Sequence, residues 1–149
     1  MPTLIEDQPH SHPTERSEFE YLFTRKHHGG DTEAATWVPS LSLEEEFSVF
    51  NIADSHEISE NGKYYGIGRR IGDSLQILGT CKQQMAIFPN SRPGEVWHGY
   101  PLWSIDESAP ENRRKEKSMR PGKLIFQRLV RVHLLTEREK KRLMGGKHV

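Results

Sequence analysis

The dipeptide Asn61-Gly62, set between Glu60 and Lys63, constrains the fold of this chain more than any other feature. A type I′ turn needs positive φ at both central positions, which Asn and Gly tolerate, so the pair predicts a tight β-hairpin. Antiparallel pairing should therefore run through the middle of the chain. Tyr64 to Ile71 reads as the outgoing strand, and Ile71-Gly72-Asp73-Ser74 as a further turn. Leu75 to Leu78 and Gln84 to Phe88 read as two more strands, divided by Gly79. Val96 to Ile105 holds another, broken by Gly99 and by Pro101, a residue that points to an edge or a bulge.

Helices are expected on both sides of this β-rich centre. Ser42-Leu43-Glu44-Glu45 fits a capping box, and Glu44, Glu45 and Glu46 suit the positive end of a helix dipole. Leu43, Phe47 and Phe50 then share one face, which predicts a helix near 43–53. The rival is a strand through Phe47, Val49 and Asn51. Thr136-Glu137-Arg138-Glu139 is a second capping box, followed by Lys140, Lys141 and Arg142 and stopped by Gly145-Gly146. The segment 123–135 admits two readings. Phe126, Leu129, Val130 and Leu134 fit a helical stripe, whereas Leu124, Phe126, Val130, Val132 and Leu134 fit alternation. Pro121 suits a helical first turn, which favours the helix and a short helical hairpin over 122–144. The fold class is thus α+β: a small antiparallel sheet packed with a helix near 43–53 and a C-terminal helical hairpin.

A chain of 149 residues has the size of one domain. Its hydrophobic fraction of 34% is low, so part of the length should lie outside the core. Residues 1–16, punctuated by Pro2, Pro9 and Pro13, read as a disordered tail, leaving 17–149 as a single α+β domain. Cys81 is the only cysteine, so no intramolecular disulfide forms, and no signal-like apolar stretch opens the chain. A cytoplasmic protein is the expectation. Apolar runs fall far short of the roughly 20 residues that cross a bilayer, so no membrane partner is expected.

The net charge is zero but unevenly spread. Residues 1–60 carry 13 acidic and 3 basic side chains, whereas residues 101–149 carry 6 acidic and 13 basic. If the helix near 43–53 packs beside 122–144, this segregation is internal complementarity. If they lie apart, the chain offers faces of opposite sign to a partner.

Motifs for chemistry are sparse. There is no C-x-x-C, no H-E-x-x-H and no G-x-S-x-G. His10 and His12 lack a third ligand, and the remaining candidates for a distributed metal site are His27, His28, His56 and His98 with Asp31 or Asp54. No metal or cofactor is expected. Gly66, Gly68 and Gly72 lack the spacing of a phosphate loop and lie within a hairpin, where glycine serves close packing or a bulge. Cys81 beside Lys82 has no base identifiable as its partner.

Trp97-His98-Gly99-Tyr100-Pro101-Leu102-Trp103 concentrates aromatic side chains. Trp97, Tyr100 and Trp103 serve either as core or as anchors of a recognition surface. Arg113, Arg114 and Lys115 open a basic stretch reaching Lys147. These features point first to a non-enzymatic protein-binding module, such as a regulator or an immunity-type inhibitor. The alternative is a metal-independent phosphodiesterase or RNA-processing enzyme. It would use His98 as general acid or base, with Arg69 or Arg70 on the anionic centre. A third reading is nucleic-acid binding through 113–147, although a pI near 7.1 is not that of a dedicated binder.

Overall fold

The computed structural model describes residues 9–13, 18–22, 36–80, 82–89, 97–102, 121–145 and 149. Regular pairing begins earlier than the sequence leads one to expect. Strand β1 (Pro9–Pro13), in the stretch read as a tail, pairs antiparallel with β2 (Glu18–Leu22). Main-chain donors and acceptors pair whatever side chains they carry, and both prolines of β1 stand at its ends, where a missing N–H costs the ladder least. Residues 1–8 and 14–16 of the predicted tail lie outside the described residues.

The first capping box forms as read. Glu45 N–H donates to Ser42 Oγ at 3.1 Å, and Ser42 N–H donates to Glu45 Oε1 at 3.1 Å. Helix α1 (Leu43–Ser55) follows and buries Phe47, Val49, Phe50 and Ala53. The strand alternative through Phe47 and Val49 falls away, because burial recurs at helical spacing. At the end of α1, Glu57 takes φ +55°. Its N–H donates to Asp54 O, and Ile58 N–H donates to Ala53 O, which is the Schellman arrangement with a glutamate where glycine is usual.

Asn61 and Gly62 have φ +54° and +77°, as a type I′ turn requires. The turn folds β3 (Ser59–Glu60) onto β4 (Lys63–Ile67). The strand predicted to continue to Ile71 stops at Ile67. A Cβ on Gly68 would lie 2.2 Å from Gln76 O, so the chain crosses closely there before turning back. It resumes as a separate hairpin of β5 (Arg70–Ile71) and β6 (Ser74–Leu75), turned by Gly72 at φ +61°. Strand β7 (Met85–Pro89) pairs with β4 over its whole length and with β8 (Tyr100–Pro101) on its other side. The main sheet therefore has the order β3-β4-β7-β8, all antiparallel, with Pro101 on an edge strand as anticipated.

Helix α1 packs on β4. Gly66 permits this approach, since a Cβ there would stand 2.5 Å from Val49 Cγ1. Phe50 is fully buried at the centre, with ring centroids 5.3 Å from Phe88, 5.8 Å from Tyr64 and 5.9 Å from Phe47. Burying one such ring contributes about 1.5–3 kcal/mol.

The ambiguous segment becomes helix α2 (Lys123–Arg131), followed by α3 (Glu137–Met144), which packs against it. Ile125, Phe126 and Leu129 are buried, while Leu124 is 72% exposed. Alternation would have put Leu124 and Phe126 on one face. Helix α2 ends on a second Schellman arrangement: His133, at φ +64°, donates to Val130 O, and Leu134 N–H donates to Leu129 O. Among the described residues no helix is long and apolar enough to cross a membrane.

Candidate binding cleft

Arg69 and Arg70 are consecutive, and their side chains serve different neighbours. Arg69 is exposed and lies on the side of Glu45. That carboxyl is held below the usual glutamate range by the Ser42 N–H first, then by Gln76, with the Arg69 charge adding to both. Arg70 instead reaches α3. Its Nη1 donates to Glu139 Oε2 at 2.9 Å and its Nη2 to Glu139 Oε1 at 2.5 Å. Glu139 is itself fixed by the second capping box, accepting from Thr136 N–H at 2.9 Å while its own N–H donates to Thr136 Oγ1 at 3.1 Å. The Arg70 guanidinium holds the Glu139 carboxyl below its ordinary range, against the opposing effect of burial.

A cleft of about 630 Å³ opens between the β5–β6 hairpin and α3, within the size range of small-ligand sites. Arg70, Arg138 and Arg142 supply positive charge along it, and Glu139 and Asp73 supply negative charge. Val149 forms part of the wall. It is held there by Gln84, a buried residue of the sheet side. Gln84 Oε1 accepts from Val149 N–H at 2.8 Å, and Gln84 Nε2 donates to Val149 O as well as to Leu75 O at 2.9 Å.

The described part of the aromatic segment, Trp97 to Leu102, packs against the core. Trp97 is half-buried, with ring centroids 5.1 Å from Tyr64 and 5.7 Å from Phe50. Gly99 lies directly against the Phe88 ring, where a Cβ would meet Cδ1 at 2.2 Å. Its carbonyl accepts from Trp37 Nε1 at 3.1 Å, and Trp37 is buried. Tyr100 is half-buried on β8. His98 is also half-buried, and it is not among the residues lining the cleft that contains Arg70. Trp103, Arg113, Arg114, Lys115, Cys81, His27 and His28 lie outside the described residues.

Among the described residues, the helical hairpin carries the strongest exposed charge. Lys123, Arg128, Arg131, Arg138, Lys141 and Arg142 are all exposed, while Glu137 is the exposed acid and Glu139 is buried. Arg128 also donates to Glu57 O at 2.6 Å, tying α2 to the turn after α1. Among the described residues, no three His, Cys, Asp or Glu side chains converge as metal ligands would. The Arg70–Glu139 pair and the Gln84 notch escaped sequence reasoning, since neither leaves a local pattern. The capping box at Thr136 announced Glu139 as a helix residue but not as an arginine partner. No family model matches the chain, and no curated protein or solved structure is significantly similar to it.

Proposed function

We propose that this protein is a binding module whose partner face is the basic α2–α3 hairpin, and that it takes an acidic protein surface. The observation that carries this is the exposure of six basic side chains against one acidic side chain on the hairpin. Such a face steers an oppositely charged partner and raises its on-rate. Trp97 spends much of its ring on Phe50 and Tyr64, so recognition rests on charge more than on the aromatic segment.

The test is capture from a nuclease-treated native lysate, comparing the wild type with Lys123→Glu/Arg131→Glu/Lys141→Glu. The expected result is an acidic protein retained by the wild type at about 0.15 M salt and lost from the variant. Equal retention by both proteins, or none by either, defeats the proposal. Retention of nucleic acid alone in an untreated lysate would move the reading to nucleic-acid binding, with affinity falling steeply with salt.

A further inference from the structure

The amide of Gln84 offers Val149 the donor and acceptor that a neighbouring β-strand would offer. Oε1 takes the Val149 N–H, and Nε2 gives to the Val149 main-chain oxygen. The third hydrogen bond, from Nε2 to Leu75 O, fixes the amide's orientation. A buried glutamine locked in this way recognises main chain, not one particular side chain. Only the size of the residue it holds is selected, and the Val149 side chain packs on the edge of the core. Next to this notch stand Arg70, Arg138 and Arg142. Main-chain pairing with flanking pockets is how extended peptides are taken up at strand-like sites, and arginine is the side chain suited to their carboxylates.

We infer that the cleft is a docking site for an extended acidic peptide segment of the partner. Its Gln84 notch holds a small apolar residue of that segment, and its arginines hold flanking carboxylates. Val149 occupies the notch in the free protein and is displaced on binding. The inference rests on the acidic-partner reading above and narrows it to one site. Self-occupation lowers the apparent affinity by the fraction of molecules whose notch is vacant. Glu139, bonded to Arg70, is the internal carboxylate with which an incoming one competes.

The experiment is fluorescence anisotropy with a labelled pentapeptide of four glutamates around a central valine, blocked at both ends. Val149→Pro removes the N–H that Gln84 accepts, and should tighten probe binding about fivefold. Arg138→Glu, at an exposed position, should weaken it about tenfold. Lys123→Glu, on α2 and outside the cleft, should change it less than about threefold. The Gln84 side-chain amide resonances should shift as probe is added. The inference is overturned if Val149→Pro leaves affinity unchanged, or if Arg138→Glu and Lys123→Glu weaken binding equally. In the latter case the acidic-partner reading survives as diffuse attraction. If the wild type and Val149→Pro both fail to bind while lysate capture succeeds, the cleft alone is excluded. Failure in both assays removes the two proposals together.

Discussion

Arg70 and Glu139 are joined by two hydrogen bonds, Nη1 to Oε2 and Nη2 to Oε1, across a sequence separation of 69 residues. The pair locks the β5–β6 hairpin to α3. A two-residue hairpin has little stability of its own, so its position depends on such contacts. The arginine side chain remains 40% exposed and the glutamate 9%. Water therefore screens one end, and the interaction sits nearer to a surface pair than a buried one.

A double-mutant cycle with Arg70→Ala and Glu139→Gln should give a coupling of about 1 kcal/mol in urea unfolding. The glutamine keeps an oxygen for the Thr136 N–H, so the cycle separates the ion pair from the helix cap. The same pair fixes a pH dependence. The Glu139 carboxyl has a lower pKa folded than unfolded, so the unfolded chain binds its proton first as pH falls. Its stabilisation is full above the unfolded value of about 4.3 and is lost as pH drops through the folded value. The wild type should lose more stability than Glu139→Gln over that acid range. Parallel stability curves for the two proteins would contradict the assignment.

Gly99→Ala should be among the most damaging single-methyl changes in the chain. The new Cβ would stand 2.2 Å from Cδ1 of Phe88, a residue with no exposed surface. The buried ring or the strand must shift to admit it, and overpacking of this kind costs about 1–3 kcal/mol. Gly66→Ala, against Val49 at 2.5 Å, should behave similarly by pushing α1 off β4. Gly145→Ala is the control, because its nearest neighbours would be 3.5 Å away. Chemical denaturation with an unchanged m-value reads all three, and a neutral Gly99→Ala would refute the packing.

Trp97→Ala tests whether the aromatic segment belongs to the core. Loss of the ring contacts to Tyr64 and Phe50 should cost about 2–3 kcal/mol, less than for a fully buried tryptophan because Trp97 is half-buried. Unchanged stability with lost partner capture would instead identify Trp97 as an anchor at the interface.

What the residues disclosed was local, and what they withheld was long-range. Asn61-Gly62, Ser42 with Glu45, and Thr136 with Glu139 each specify a turn or a helix start within four residues, and each formed as read. Gly66 and Gly68 likewise proved to be sites of close packing. In the pairing of Pro9–Pro13 with Glu18–Leu22, Phe19 and Tyr21 alternate with Glu18 and Glu20, but nothing apolar in Pro9–Pro13 marks it as their partner strand. The split of the strand at Ile67 depends on where Gln76 returns, and the Arg70 cleft on where α3 docks. These are tertiary outcomes that no window of sequence encodes. The aromatic segment shows the same limit from the other side: its composition permitted a surface, and only the position of Phe50 decides how much of Trp97 is covered.

Helix endings supply the last test, because both Schellman turns among the described residues lack glycine. Glu57 and His133 hold φ of +55° and +64° at the left-handed position after α1 and α2. A side chain there costs roughly 1–2 kcal/mol relative to glycine. Glycine recovers part of that but gives the unfolded chain more freedom, so the net gain should be about 0.5–1 kcal/mol. His133→Gly should raise Tm by about 1–4 °C for a chain of this size. Glu57→Gly should do the same while leaving the Arg128 bond to the residue's carbonyl intact. Alanine at either site keeps the strain without the benefit and should not stabilise. Differential scanning calorimetry of the four variants decides it: a lower Tm for His133→Gly would mean that the imidazole makes a contact worth more than the backbone strain it imposes.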